Sequence, residues 1–324
     1  SHACTKADQV VGIYIVTFKQ WEEHNDSPNK IAFWFRSLIE LQKDLHKLNI
    51  PLCILKCDTY DDCPQKILEF ASANEIHNLY FNIEYPVNEL KRDEQVQAVL
   101  EKMGTSCFSF HDQVIHVPGT LKTKAGTNFS VYSPFKRCWL AELDYALLEE
   151  HATPTIKQPV SVNQQDEYDL HSYKQSNINQ DLWPVGEESI QKMIVNFLDR
   201  KGSDYKTDRN FPGLTATSMM SPYINSGVVS SKWCLNQARA RNYDALDEGD
   251  KGLVHWISEI LWREFYRHII YNFPRVSMGK AFQEHFEQVP WENNQDFIEA
   301  WKHGRTGIPI VDAGMRQMIE TVSY

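Results

Sequence analysis

The segment from Trp256 to His268 reads Trp-Ile-Ser-Glu-Ile-Leu-Trp-Arg-Glu-Phe-Tyr-Arg-His. At helical spacing Glu259, Trp262, Arg263 and Tyr266 share one face, at steps of three and four. A carboxylate, an indole, a guanidinium and a phenol on one face are not a hydrophobic stripe. Together they can stack a planar ligand and hydrogen-bond its edge, as proteins read a base taken out of its duplex. Two plainer readings compete: a surface helix with Glu259 and Arg263 as an i, i+4 ion pair, or a core helix that buries Trp256 and Trp262. The segment by itself leaves the three open.

A second chemical signal is Thr217-Ser218-Met219-Met220-Ser221-Pro222, with three hydroxyls in five residues just before a helix signal. Such a loop can offer backbone N–H and hydroxyl donors to an anion. Ordinary helix capping needs the same residue types and is the commoner use of them. The seven cysteines include no Cys-x-x-Cys pair and mostly sit among apolar residues, as in Pro51-Leu-Cys53-Ile-Leu55. Reduced, partly buried thiols of a cytosolic protein are the leading expectation, with a zinc site or a disulfide framework as the minor one. No histidine cluster suggests a metal.

These residues need elements to hold them. The 324 residues are 42% hydrophobic and 23% charged, which suits a globular protein of more than one domain and excludes a disordered chain. No stretch approaches the ~20 apolar residues of a membrane span, and no secretory signal is present. The chain opens Ser1-His2-Ala3 rather than with Met, which points to a fragment or a processed product. Net charge is −10, so a nucleic-acid site must be a local basic patch. Residues 186–324 hold 16 Lys and Arg against 18 Asp and Glu, whereas residues 1–185 hold 17 against 25. The second half is thus the better placed to meet a phosphate backbone.

Over residues 1–120 strand and helix signals alternate. Gln9–Phe18, Pro51–Cys57 and Asn78–Ile83 read as strands. Ser27-Pro28 reads as an N-cap and first helical residue, followed by one apolar face from Ile31 to Leu48. The alternation predicts a parallel sheet with helices on its faces. No Gly-x-Gly-x-x-Gly phosphate turn is visible. Residues 121–185 are polar and weakly periodic and read as a long connector, with a short helix near Pro134–Leu143. From Gly186 the period is helical, with patterns over Ile190–Leu198, Ser231–Arg241, Leu253–Tyr271, Asn294–Trp301 and Ile310–Thr321. The polar run Gly202–Asn210 and the loop Phe211–Ser221 separate the first two.

The Glu259–His268 stretch, Glu-Ile-Leu-Trp-Arg-Glu-Phe-Tyr-Arg-His, resembles a motif of the photolyase/cryptochrome family. So does Gly304-Arg-Thr-Gly-Ile-Pro-Ile-Val-Asp-Ala-Gly-Met-Arg-Gln317. Thr217-Ser-x-x-Ser221 before a helix is a third mark, with Phe211-Pro212 and Ser133-Pro134-Phe135-Lys136 in support. The resemblance runs nearly end to end and looks closest to bacterial cyclobutane pyrimidine dimer photolyases with a folate antenna. It implies an N-terminal α/β antenna-binding domain without its first strand (1–120), a connector (121–185) and a helical FAD- and DNA-binding domain (186–324). It also implies that the chain is truncated at both ends, and inactive by itself.

Carried over by resemblance, Tyr205, Thr217, Ser218, Met219, Met220, Ser221, Trp256 and Arg263 contact FAD. Glu259 and Trp262 hold the flipped dimer and are the catalytic pair. Arg209, Arg263 and Tyr266 join Glu259 and Trp262 at the DNA, with Arg209 on a phosphate. Trp291 is the outer tryptophan of an electron-transfer chain, or else a partly exposed aromatic with no such role. Asn88 and Glu89 contact an antenna, methenyltetrahydrofolate by resemblance, or else simply begin a helix. Two departures stand out. Met219 occupies a position where the family's flavin-phosphate loop usually has Arg. Near Ser277-Met278 an antenna-side Lys is absent, with Lys280 as a substitute. The implied function is light-driven repair of pyrimidine dimers in DNA by a cytosolic monomer. The alternatives are a cryptochrome-type photoreceptor and a flavin-independent nucleic-acid binding module.

Overall fold

The computed structural model describes residues 2–163, 167–176 and 178–321. A short helix, α1 (His2–Lys6), precedes β1 (Gly12–Thr17), α2 (Phe18–Glu23), α3 (Pro28–His46) and β2 (Leu52–Cys57). Then come α4 (Cys63–Ala73), β3 (Asn78–Asn82), α5 (Val87–Met103) and β4 (Ser106–Phe110). Among the described residues all strand pairing is parallel, as the alternation predicts. It is realised as two separate two-stranded sheets: β1 on β2, Gly12 opposite Leu52, and β3 on β4, Asn78 opposite Ser106. The facing edges of β1 and β3, through Ile13–Ile15 and Leu79–Asn82, line a cavity of about 970 Å³.

Local chemistry explains the starts of these elements. Ser27 caps α3, its hydroxyl accepting from Lys30 N at 3.2 Å, and Pro28 takes the first helical position, where its missing N–H costs nothing. Cys53, Ile54 and Leu55 are buried in succession, as in a strand covered on both faces. Helix α4 and strand β4 escaped the sequence reading, and α5 entered it only as a possible helix start at Asn88 and Glu89. In α5 only Val96 and Leu100 are buried, too few to mark a face, and β4 is five residues with two serines.

The other α-helices among the described residues are α6 (Tyr132–Ala141), α7 (Glu187–Lys201), α8 (Tyr205–Asp208), α9 (Ser221–Asn225), α10 (Ser231–Ala240), α11 (Lys251–Asn272), α12 (Gln295–Lys302) and α13 (Pro309–Thr321). All but α8 and α9 match the periodic segments within three residues. Those two are single turns, too short for a period to show. No described helix is long and apolar enough to cross a membrane.

The largest core cluster joins α7, α10 and α11 to Leu121, Phe135, Trp139, Leu148 and Trp183. The segment between the two halves thus gives these five residues to the core, while Val131, Ile156 and Leu182 stay exposed. Helix α11 is the central beam. Asp250 caps it, accepting from Gly252 N and Leu253 N at 2.8 and 3.0 Å. Gly252 lets α8 approach: a Cβ there would lie 2.1 Å from Ser203 O.

One buried carboxylate fastens this beam to the chain that follows β4. Glu264 Oε1 accepts from Ile115 N at 2.7 Å, His116 N at 3.0 Å and Trp139 Nε1 at 3.2 Å. One turn on, the His268 ring pairs with His116 O at 3.0 Å. Burial pushes the Glu264 carboxyl up to about 7, against the pull of its donors, and pushes His268 down to about 4.

Candidate cofactor cavity and DNA face

A cavity of about 780 Å³ lies beside α11, within the ordinary size range of a small-molecule site. Trp256, Glu259, Ile260 and Arg263, spaced three and four apart, form one wall. The Thr217–Pro222 loop forms the opposite wall, Tyr205 closes one side, and Lys30, Phe33 and Trp34 of α3 another. All eight residues that resemblance assigns to FAD therefore meet on this one cavity. That convergence was not visible from spacing, since the segments lie up to 58 residues apart in the chain.

The walls are cross-braced. Trp256 is 2% exposed, and its indole N–H donates to Ser218 Oγ at 3.2 Å. Met219 holds a left-handed φ of 52°, uncommon for a non-glycine residue, at the bend of the loop. Tyr205 sits edge-to-face on Phe197, with the Arg209 guanidinium 5.2 Å above its ring.

Arg263 is the unusual member. It donates to Gln113 O at 2.6 Å and Ser231 Oγ at 3.1 Å, its buried Nε has no partner, and among the described residues no carboxylate pairs with it. Burial is the main reason its pKa falls to about 10, with the neighbouring Arg267 adding to the fall. A buried guanidinium without a counter-charge is costly unless an anion supplies one. Lys30 and Arg267 line the same cavity, so positive charge is present although Met219 is not a cation. The volume, the donors of the hydroxyl loop and the uncompensated Arg263 fit an FAD-type dinucleotide.

The DNA-side residues divide. Glu259 does not pair with Arg263: it faces the cavity and forms an ion pair with Arg209 across the α8–α11 contact. His255 lies 3.7 Å from the same carboxylate. Trp262 points away from the cavity wall. Tyr132 stacks on it with centroids 3.6 Å apart and planes 12° from parallel, and Tyr266, 55% exposed, follows at 5.6 Å. The core reading holds for Trp256, while Trp262 is the middle of a half-buried aromatic stack. Tyr132 went unnoticed, although it directly precedes the quoted Ser133-Pro134-Phe135-Lys136 mark. Trp291 is 75% exposed in a non-helical stretch before α12.

Asn88 and Glu89 do begin a helix, in the first turn of α5. Glu89 Oε1 accepts from the Tyr60 hydroxyl at 3.5 Å, and Asn88 Nδ2 lies 3.4 Å from His24 Nε2. Ser277 Oγ accepts from Val87 N at 3.1 Å, so the Ser277-Met278 segment docks beside them. Glu89 and Tyr60 line the larger cavity.

Comparison with known proteins places this geometry. The DNA photolyase family profile matches residues 1–158, and the profile of the FAD-binding domain of DNA photolyase matches 256–323. The deoxyribodipyrimidine photo-lyase of Buchnera aphidicola is 33% identical over 97% of this chain and 64% of its own length. That of Escherichia coli is 32% identical, over 98% and 67%. The chain thus spans about two thirds of the length of these relatives. Among solved structures, a bacterial class III photolyase from Agrobacterium tumefaciens superposes with a TM-score of 0.81 at 24% identity, covering 99% of this chain and 65% of the other. A Synechocystis cryptochrome superposes with 0.80 at 18%, covering 96% and 65%. At these identities the two structures show the fold alone.

Proposed function

The chain belongs to the DNA photolyase family, and we propose that it serves light-driven repair of cyclobutane pyrimidine dimers in DNA, with FAD in the 780 Å³ cavity. The observation that carries this reading is the convergence of Trp256, Glu259 and Arg263 with the Thr217–Ser221 loop on one cavity. When bound, FAD would supply the light-driven one-electron chemistry for splitting the dimer.

The chain's own residues have separable tasks. Loop hydroxyls and amides of Thr217–Ser221, with Arg263 as the buried cation, hold the cofactor's diphosphate end. Trp256, pinned by Ser218, gives the ring system an apolar wall. Glu259 is exchanged from Arg209 to the polar edge of a flipped dimer, while Arg209 turns to a phosphate. The ion pair between them is half exposed, so its rupture costs little, on the order of 1 kcal/mol. Trp262 and Tyr266 present the stacked edge against which the dimer packs. Trp291, open to solvent, would serve as the outer electron donor of a bound flavin. Asn88 and Glu89 receive a methenyltetrahydrofolate antenna. An archaeal photolyase from Sulfolobus tokodaii is described with two FAD molecules, so competition between folate and FAD for the second site belongs in the test.

The deciding measurement loads with FAD both the chain as given and the chain extended by the segments that its relatives carry, and illuminates each with blue light on an oligonucleotide carrying one thymine dimer. Restored thymines support repair. Bound flavin without repair favours the photoreceptor, and DNA binding without any flavin favours a plain nucleic-acid module.

A further inference from the structure

Two of the seven free cysteines sit apart from the rest. Cys57 ends β2 and Cys63 is the first residue of α4, and their sulfurs are 3.5 Å apart. Both thiols reach the same acceptor, Thr59 O, at 3.5 and 3.6 Å. The turn between them is braced by hydrogen bonds. Asp62 Oδ2 accepts from Thr59 N at 2.8 Å and from Thr59 Oγ1 at 2.9 Å. The two sulfurs are thus held against each other by a closed turn.

We propose that Cys57 and Cys63 form an oxidisable dithiol, a modification site whose substrate is a small peroxide of the hydrogen peroxide class and whose product is a Cys57–Cys63 disulfide. Three observations carry it. Bonding needs the sulfurs to close by only about 1.5 Å, to the ~2.05 Å of a disulfide. Cys63 is 1% exposed yet lines the 970 Å³ cavity, so a molecule of peroxide size has a route that a bulky disulfide lacks. Among the described residues no group of three or more Cys, His, Asp or Glu is placed to hold a metal, so the pair is not half of a metal centre.

The chemistry balances as follows. The Cys63 thiolate attacks one peroxide oxygen. An S–O bond forms, the O–O bond breaks, and hydroxide leaves to take up the proton that Cys63 lost. Cys57 sulfur then attacks Cys63 sulfur. The S–S bond forms, the S–O bond breaks, and the departing hydroxide takes the Cys57 proton. Two thiols are oxidised by two electrons and one peroxide becomes two waters. Cys63 is the first nucleophile on three counts. The hydrogen bond from Cys57 lowers its pKa, the positive charge of Arg92 adds to that, and it stands at the N-terminus of an eleven-residue helix. The disulfide would lock the Thr59–Asp62 turn, which carries Tyr60 against Glu89.

Both cysteines fall in one tryptic peptide, residues 57–66, which makes the test direct. The full chain is treated with graded hydrogen peroxide, denatured, alkylated and digested. The expected result is that peptide 57–66 becomes 2 Da lighter and loses both alkyl groups before any other cysteine reacts. Total free thiols fall from seven to five, and a thiol reductant restores them. In Cys57→Ser the sulfenic acid on Cys63 has no partner and is trapped by dimedone. Alkylation of both cysteines at doses that oxidise Cys4 or Cys138 would overturn the proposal, as would a disulfide joining other positions or separate oxidation of each to sulfinic acid.

Discussion

Glu259 and Glu264 lie five residues apart on the same helix and have opposite surroundings. Glu259 is 38% exposed on a cavity wall and holds a single arginine. Glu264 is 2% exposed and gathers two backbone amides and an indole on one oxygen. The first carboxylate is exchangeable, because its partner can leave it for a ligand and water can replace either. The second is structural, because its donors have nowhere else to go. One face of α11 is left free to bind because the other is committed to holding the helix in place.

The sharpest way to break this contrast is Glu264→Ala. Three buried donors lose their acceptor at once, and each unsatisfied group costs about 1–3 kcal/mol. Stability should fall by about 3–5 kcal/mol in urea unfolding at pH 6, with loss of the near-ultraviolet signal of Trp139. Glu259→Ala, judged by the same unfolding, should change stability by less than about 1 kcal/mol. Equal losses would erase the distinction.

Acidity gives the next largest effect. Glu264 titrates at about 7 when folded, above its ordinary 4.5, so between these values the folded state binds the extra proton. Its contribution to stability is full below pH 4.5 and is lost as pH rises through 7, a loss of about 3 kcal/mol. His268 works in the other direction. Its folded pKa of about 4 lies below 6.5, so its neutral form adds stability as pH rises across that window. From pH 4.5 to 6.5 these two contributions therefore oppose each other. Glu264→Gln keeps the amide-accepting oxygen and removes only the acid. Its stability relative to wild type should climb by about 3 kcal/mol from pH 4.5 to 7.5. Parallel profiles would show that Glu264 does not titrate in this range.

How much of this was legible beforehand depended on whether a feature repeats. The faces of α3, α7, α10 and α11 recur every three or four residues, so their helices could be read from type alone. The FAD-binding residues were reached through resemblance, and the cavity that unites them needed coordinates. Glu264 was invisible, since a single Glu in a helical run looks like solvent-facing charge, and its donors Ile115, His116 and Trp139 lie well over 100 residues away in the chain. The partner of Glu259 was left open for a related reason. Spacing offered Arg263 at i+4, but Arg263 turns to Gln113 and Ser231 and leaves Arg209 of the next turn structure to pair. The cysteine pair failed likewise, because a spacing of six residues means nothing until a strand end and a helix start bring the sulfurs together.

On the exposed face the expected losses are smaller and belong to the ligand. Glu259→Gln keeps the size and one acceptor but loses the charge that strengthens a hydrogen bond to the dimer. A charge-assisted hydrogen bond contributes about 1.5–3 kcal/mol, so dimer affinity should drop roughly ten- to a hundredfold with flavin content unchanged. Flavin loss in parallel with dimer affinity would place Glu259 with the cofactor instead.

The smallest effect is expected at Trp262, and its size follows from the stack. Removing a free stacking platform costs about 1–3 kcal/mol per base. Here Tyr132 covers Trp262 at 3.6 Å and Tyr266 stacks beside it at 5.6 Å, so mainly the indole edge remains for a ligand, and the loss should lie at the low end, about 1 kcal/mol or fivefold. Trp262→Ala should therefore weaken binding to a dimer-containing oligonucleotide by about that factor. Binding to the undamaged strand, which rests on phosphate contacts and salt, should stay as it was. Tyr132→Ala supplies the contrast. It removes the neighbour and its hydroxyl bond to Ser258 O at 2.9 Å, so it should loosen the stack and lower stability while leaving the indole available. If Trp262→Ala weakened both oligonucleotides equally, or lowered stability as much as Tyr132→Ala, the indole would be part of the packing that holds α6 on α11 and not of the DNA face.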